Sequence, residues 1–196
     1  MKKLFKFVLF IALIAAIISY IPRIIEWYFP YNYNLFVEKY SKEYDVDKAL
    51  LFAVIKAESN FNKNAESSKG AKGLMQIMDD TAEWCANKAG IDEYDLFDPE
   101  DNIKIGAFYI SYLLEKCGNE KNAVAAYNAG HGNVDKWLSD ENFSKDGENL
   151  HDIPFAETRK YVNKVMFYKK FYNWRLGRQT FTGLFADVIS TSYLGN

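Results

Sequence analysis

The sequence predicts a mainly α-helical domain held behind one membrane-spanning helix. Three observations carry this. An apolar run near the N-terminus has no polar face. Beyond it, apolar residues recur at spacings of three and four, the helical period. Alternating strand patterns are nearly absent, apart from short candidates within residues 68–78. At 196 residues, 49% apolar and 26% charged, the chain suits one ordinary folded domain with a short appendage. The expected organisation is a signal-anchor over residues 1–30, a globular domain over 31–177 and a tail of unassigned role over 178–196.

The first element begins with Lys2, Lys3 and Lys6, followed by an apolar stretch from Phe7 to Ile21 whose one polar residue is Ser19. Counted from Leu4, the run spans roughly 27 Å as a helix, close to the ~30 Å hydrocarbon core of a bilayer. Ser19-Tyr20-Ile21-Pro22 is a poor cleavage site, and no cysteine directly follows the run to carry a lipid. An uncleaved, single-pass anchor is therefore expected, with the lysines in the cytoplasm and the domain outside. A cleaved signal peptide and a secreted protein is the alternative. Trp27, Tyr28, Phe29, Tyr31 and Tyr33 come next as an interfacial aromatic belt.

The remaining elements are taken in chain order. Asp45 or Asp47 caps a helix running to about Asn60, with Val46, Ala49, Leu50, Ala53, Val54 and Ala57 on one stripe. Asp98-Pro99 starts another, which carries Ile103, Ala107, Ile110, Leu114 and Cys117 and stops at Gly118. A short helix covers Ala123 to Tyr127. Residues 139–153 are polar and read as a loop. Pro154 opens a long helix on which Tyr161, Val162, Val165, Met166 and Tyr172 recur. In the tail, Phe181, Leu184, Phe185, Val188 and Ile189 suggest an amphipathic helix.

A formal net charge of −2 argues against a nucleic-acid partner, whose phosphates call for a basic surface. Aromatic residues reach 17%, which fits an aromatic core and equally a cleft that presents rings to a ligand. The two cysteines, Cys85 and Cys117, match no metal or redox spacing, so one disulfide and two buried thiols both fit. His131 and His151 have no partner at metal-ligand spacing and are read as loop residues.

Glu58 stands out. It sits near the end of an unusually apolar helix, with Val54 one turn before it and Phe61 three residues after. Apolar surroundings and the negative end of the helix dipole both disfavour a charged carboxylate. Both raise its pKa, as a general acid at neutral pH requires. Gly70 and Gly73 lie close behind and mark a tight turn or a close backbone approach. Tyr127-Asn128, ahead of Gly130, offers a ring and an amide.

In order, Glu58-Ser59-Asn60-Phe61, Ser67, Gly70-Ala71-Lys72-Gly73-Leu74-Met75-Gln76-Ile77-Met78, Ala126-Tyr127-Asn128-Ala129-Gly130 and Ile153-Pro154-Phe155-Ala156-Glu157-Thr158-Arg159-Lys160-Tyr161-Val162 resemble the soluble lytic transglycosylases, with their goose-type lysozyme-like fold. The resemblance implies a helical domain with a sugar-binding cleft and one catalytic glutamate, which maps onto Glu58. It implies that Ser67, Gln76, Met78, Tyr127 and Tyr161 line the site, together with Asn128 and Glu157, and that no metal or organic cofactor is needed. The substrate it implies is the glycan strand of peptidoglycan, cut between N-acetylmuramic acid and N-acetylglucosamine with a 1,6-anhydro product.

Asp79 and Lys63 stand where the family often has proline, both at expected loop positions. Most glycosidases use two carboxylates. Here Glu66, Asp79 and Asp80 are the nearest candidates for a second, and each reads as a solvated loop charge. A lysozyme-type hydrolase on the same scaffold and a non-catalytic, membrane-anchored wall-binding protein are the competing expectations.

Overall fold

A computed structural model describes residues 2–193, with side chains for residues 3–177. The chain divides into two compact units, residues 1–32 and 33–196.

The first unit is one helix, α1 (Lys2–Tyr28). Its stretch Lys3–Tyr28 is long and apolar enough to cross a membrane, and no part of its most apolar window is buried in the protein. Ser19 turns its hydroxyl back onto the Ala16 carbonyl at 2.7 Å, so the one polar residue of the run shows no unpaired donor. Trp27 and Tyr28 are exposed at its end.

The second unit is built from α2 (Asn34–Glu43), α3 (Lys48–Glu58), α4 (Asp79–Ala89), α5 (Pro99–Cys117), α6 (Glu120–Ala129), α7 (His131–Leu138) and α8 (Ala156–Tyr193). Among the described residues there is no strand; the segment around residues 68–78 makes only isolated bridges, Lys72 pairing with Glu66 and with Ile77. Three of these helices, α3, α5 and α6, begin where polar side chains take free amides of the first turn. Asp47 accepts from Leu50 N at 2.9 Å, and Asp98 from Glu100 N at 2.8 Å with Pro99 behind it. Asn119 accepts from Asn122 N at 2.9 Å. Gly118 ends α5 at φ 75°, in the left-handed region that favours glycine.

The centre is α3. Every residue from Ala49 to Lys56 is buried, so the single apolar stripe expected from sequence understates it. A helix apolar all round belongs inside, and α3 lies between α2 and α8. Phe52 stacks on Tyr172 of α8 at 5.1 Å between ring centroids. Lys169 of α8 reaches Glu120 at 2.5 Å and Asp47 at 3.6 Å, tying α8 to the starts of α6 and α3. α5 packs on α2, α4, α6 and α7.

Three helices, α2, α4 and α7, were not expected from sequence. One consequence is a correction: His131 opens α7 and is not a loop residue, whereas His151 does lie in a loop. Asp79 and Asp80 likewise form the first turn of α4, where acidic side chains suit the helix dipole. α8 starts at Ala156, two residues after Pro154, and runs past Gly177 to Tyr193. The apolar pattern of the tail falls on side chains outside the described set. Cys85 and Cys117 are both buried free thiols, and burial pushes Cys85 up to about 12.

Candidate active site

The site begins at the last residue of α3. Glu58 ends the helix, and the chain then turns away through Asn60 (φ 52°) and Phe61 (φ 65°). Two consecutive non-glycine residues in the left-handed region are uncommon and cost conformational energy. Side-chain contacts hold them there. Lys56 Nζ donates to Asn60 Oδ1 at 2.5 Å, and the buried Phe61 ring lies 6.3 Å from Phe52. Ser59 Oγ donates to the Leu74 carbonyl at 2.7 Å. The end of α3 is thereby fastened to the segment 73–78.

That segment depends on two residues of α5. Asn102, fully buried, accepts from Met75 N at 2.8 Å and donates to the carbonyls of Lys72 (3.0 Å) and Leu96 (2.8 Å). Gly106 leaves room for Met75, whose Sδ lies 2.3 Å from where a Cβ would stand. Gly73 is required twice over. Its φ is 75°, and a Cβ would lie 2.1 Å from the Leu96 carbonyl oxygen. Gln76 (φ 51°) spends its amide nitrogen on the carbonyls of Ala65 and Gly73, both at 3.0 Å. Ser67 Oγ accepts from Ala71 N at 3.0 Å, shaping the preceding turn and keeping its own hydroxyl proton to donate.

Two tyrosines close on Glu58. Tyr161, one turn into α8, donates its hydroxyl to Glu58 Oε1 at 2.5 Å. Tyr127 of α6 donates to the Met75 carbonyl at 2.7 Å. Burial lifts both phenols well above their ordinary value, and the Glu58 charge adds to the effect, so both remain neutral donors. Glu58 itself is only partly exposed. Burial raises its carboxyl to about 7, against the lowering effects of the Tyr161 hydrogen bond and the Lys164 charge. No carboxylate is among the groups that shift it; Glu66, Asp79 and Asp80 are all exposed, and Asp79 is paired with Lys72 at 2.8 Å.

Glu58, Tyr127 and Tyr161 are thus brought together, with Ser67 and Gln76 in the adjoining turn. Met78, Asn128 and Glu157 are exposed, and no described hydrogen bond joins them to Glu58. Met78 precedes α4, Asn128 sits next to Tyr127, and Glu157 lies one turn before Tyr161 on the same face of α8. Sequence reasoning missed Lys164, Asn102 and a cleft of about 280 Å³ lined by Asp80, Thr81, Trp84, Tyr109, Tyr112 and His131. Tyr109 lies 5.4 Å from Tyr127 and 6.4 Å from Trp84, so the cleft neighbours the tyrosines at Glu58. The high aromatic content was its only signal.

A lysozyme-like helical domain with one half-buried carboxylate at the end of its central helix is the class these elements define. The chain belongs to the transglycosylase SLT domain family: the family model matches residues 36–150, and that of the soluble lytic transglycosylase helical domain matches residues 152–180. It is similar to the soluble lytic murein transglycosylase of Salmonella typhimurium, 37% identical over 77% of this chain and 24% of that protein. It also resembles the membrane-bound lytic murein transglycosylase C of Pectobacterium atrosepticum, 30% identical over 72% of this chain and 47% of that one. Among solved structures, an inactive glutamate-to-glutamine mutant of lytic transglycosylase Slt from Pseudomonas aeruginosa matches with a TM-score of 0.69 and 35% identity, over 76% of this chain and 25% of that one. The chain spans about a quarter of the length of the soluble relatives and about half that of the membrane-bound one.

Proposed function

We propose that this protein is a membrane-anchored lytic transglycosylase that cuts peptidoglycan glycan strands with Glu58 as its one acid/base. The observation that carries this is the Glu58 carboxyl, raised to about 7 and bonded to Tyr161 at 2.5 Å. A group with a pKa near the working pH exchanges protons in both directions at little cost. Protonated Glu58 gives its proton to the oxygen between N-acetylmuramic acid and N-acetylglucosamine as the bond from that oxygen to the muramyl C1 breaks. The substrate's own N-acetyl group stabilises the positive charge at C1. Ionised Glu58 then takes the proton of the muramyl C6 hydroxyl as O6 bonds to C1. The product is a 1,6-anhydro end, and no water is consumed. Tyr161 keeps the carboxyl oriented through both steps. Ser67, Gln76, Met78, Tyr127, Asn128 and Glu157 line the sugar sites around it.

The deciding measurement is mass spectrometry of the fragments that the full chain, in detergent, releases from purified peptidoglycan. Fragments lighter by one water than the hydrolytic ones establish the anhydro product. Hydrated reducing ends mean a lysozyme-type hydrolase. Binding without any fragments means a wall-binding protein.

In this proposal α1 crosses the cytoplasmic membrane once and leaves residues 31–177 outside as the catalytic domain. Its length and apolarity support this, as does the existence of a membrane-bound relative. The expected outcome is that the full chain stays in the membrane pellet at high salt and is released only by detergent. A shorter soluble form lacking α1 would show cleavage and secretion instead.

A further inference from the structure

α8 brings a second side chain to the end of α3. Lys164 lies three residues beyond Tyr161, on the same face of the helix. Its Nζ donates to the Ala57 carbonyl at 2.7 Å, one residue before Glu58. That carbonyl belongs to the last turn of α3, where carbonyls lack an intrahelical donor and carry the negative end of the helix dipole. A lysine there satisfies the acceptor and offsets the dipole in one contact.

We propose that Lys164 is a positioning residue for the chemistry at Glu58: docked on the Ala57 carbonyl, its ammonium fixes the peptide that carries Glu58 and sets a positive charge beside the carboxylate. This rests on the acid/base role given to Glu58 above. A lone carboxyl must first lose its proton to the leaving oxygen and then take one from the C6 hydroxyl. Burial and the helix end both favour the protonated form. Left unopposed, they make the group too weak an acid for the first step. Two interactions oppose them, the Tyr161 hydrogen bond and the Lys164 charge, and they leave the carboxyl at about 7.

The other groups near Glu58 do not supply that charge. Tyr127 from α6 and Tyr161 from α8 stay neutral. Lys56, earlier on α3, is bonded to Asn60. Lys72, in the turn after α3, is paired with Asp79. Glu157 is exposed one turn before Tyr161. Among the described residues, Lys164 is the one cation that acts on the Glu58 carboxyl.

The test is the titration of the Glu58 carboxyl by carbon-13 NMR in the full chain in detergent, without substrate, with Glu58→Gln to assign the signal. In Lys164→Met the midpoint is expected to rise by about half a pH unit. Lys164→Arg keeps the charge and is expected to stay near the parent value. Because Lys164 is exposed, the rise should shrink at molar salt. In cleavage assays the falling limb of kcat/KM moves up in pH by the same amount in Lys164→Met and does not move in Lys164→Arg. An unmoved midpoint in Lys164→Met overturns the proposal, even if cleavage slows, since slowing alone is what a merely structural lysine would give. Absence of cleavage by the parent protein would strike the acid/base role of Glu58 and leave the titration to decide on Lys164.

Discussion

Glu58→Gln is expected to abolish cleavage and, above pH 7, to make the protein more stable. The loss is a matter of chemistry. An amide keeps the shape of the side chain and still accepts the Tyr161 hydrogen bond, but it neither gives nor takes the proton. Acid–base groups of this kind contribute about 10²–10⁴-fold, and one group serving two steps places the loss near the upper end. The gain is a matter of linkage. The folded pKa of about 7 exceeds the ordinary 4.5, so between these values the folded state binds more protons than the unfolded one. Stability therefore falls as pH rises through this window, and the full penalty, on the order of 3 kcal/mol, stands above pH 7. Glutamine carries no charge and escapes it. Melting curves of the two proteins should coincide near pH 4 and separate by pH 8, with the variant higher. A variant that still cuts strands at near-parent rate would falsify the role of Glu58. Curves equally spaced at both pH values would show that burial is not what lifts the carboxyl.

The position of Glu58 was legible because two penalties on a charge are written locally: an apolar run, and a helix end set by the residues just beyond it. Asp98-Pro99 and Gly118 marked α5 for the same reason, since caps are local chemistry. α2, α4 and α7 were not legible. Their helicity comes from docking on α3, α5 and α6 and not from a clean apolar period of their own. Tyr127 and Tyr161 entered the candidate site through ordered motifs, because nothing local to either residue tells that 103 positions separate Tyr161 from the carboxylate it bonds. Lys164 was silent for a simpler reason. A lysine on an exposed helix face looks like any solvated charge until the carbonyl it meets is known. Trp84, Tyr109 and Tyr112 could have been core or cleft, and only the packing of α4 against α5 decides it.

Asn102→Ala is expected to carry a large loss of stability. Asn102 has no exposed surface, yet sits on a helix whose buried neighbours Ile103, Ile105 and Ala107 are apolar. Its amide is fully employed: one acceptor to Met75 N and two donors to the carbonyls of Lys72 and Leu96. Alanine leaves two buried backbone groups, Met75 N and the Leu96 carbonyl, without that partner, and a void where the amide stood; the Lys72 carbonyl still accepts from Ile77 N at 3.0 Å. Each unpaired buried group costs roughly 1–3 kcal/mol, tempered where water enters the void. The total comes to about 3–4 kcal/mol, near a 10 °C fall in Tm for a domain of this size. The consequence reaches catalysis through the backbone. Asn102 holds Met75 and Lys72; the Met75 carbonyl holds Tyr127, and the Leu74 carbonyl holds Ser59 beside Glu58. Releasing that turn should slow cleavage at temperatures where the variant is still folded. Asn102→Asp separates the two effects, since it can accept from Met75 N but gives up both donors. It should lie below alanine in stability at neutral pH, because a buried carboxylate would face two carbonyl oxygens. It should recover part of the difference in acid, where its protonated form can donate once. Thermal melts of the three proteins at pH 5 and pH 8 check this, and an aspartate variant insensitive to pH would mean that the turn has opened to water and that Asn102 is not the clasp described here.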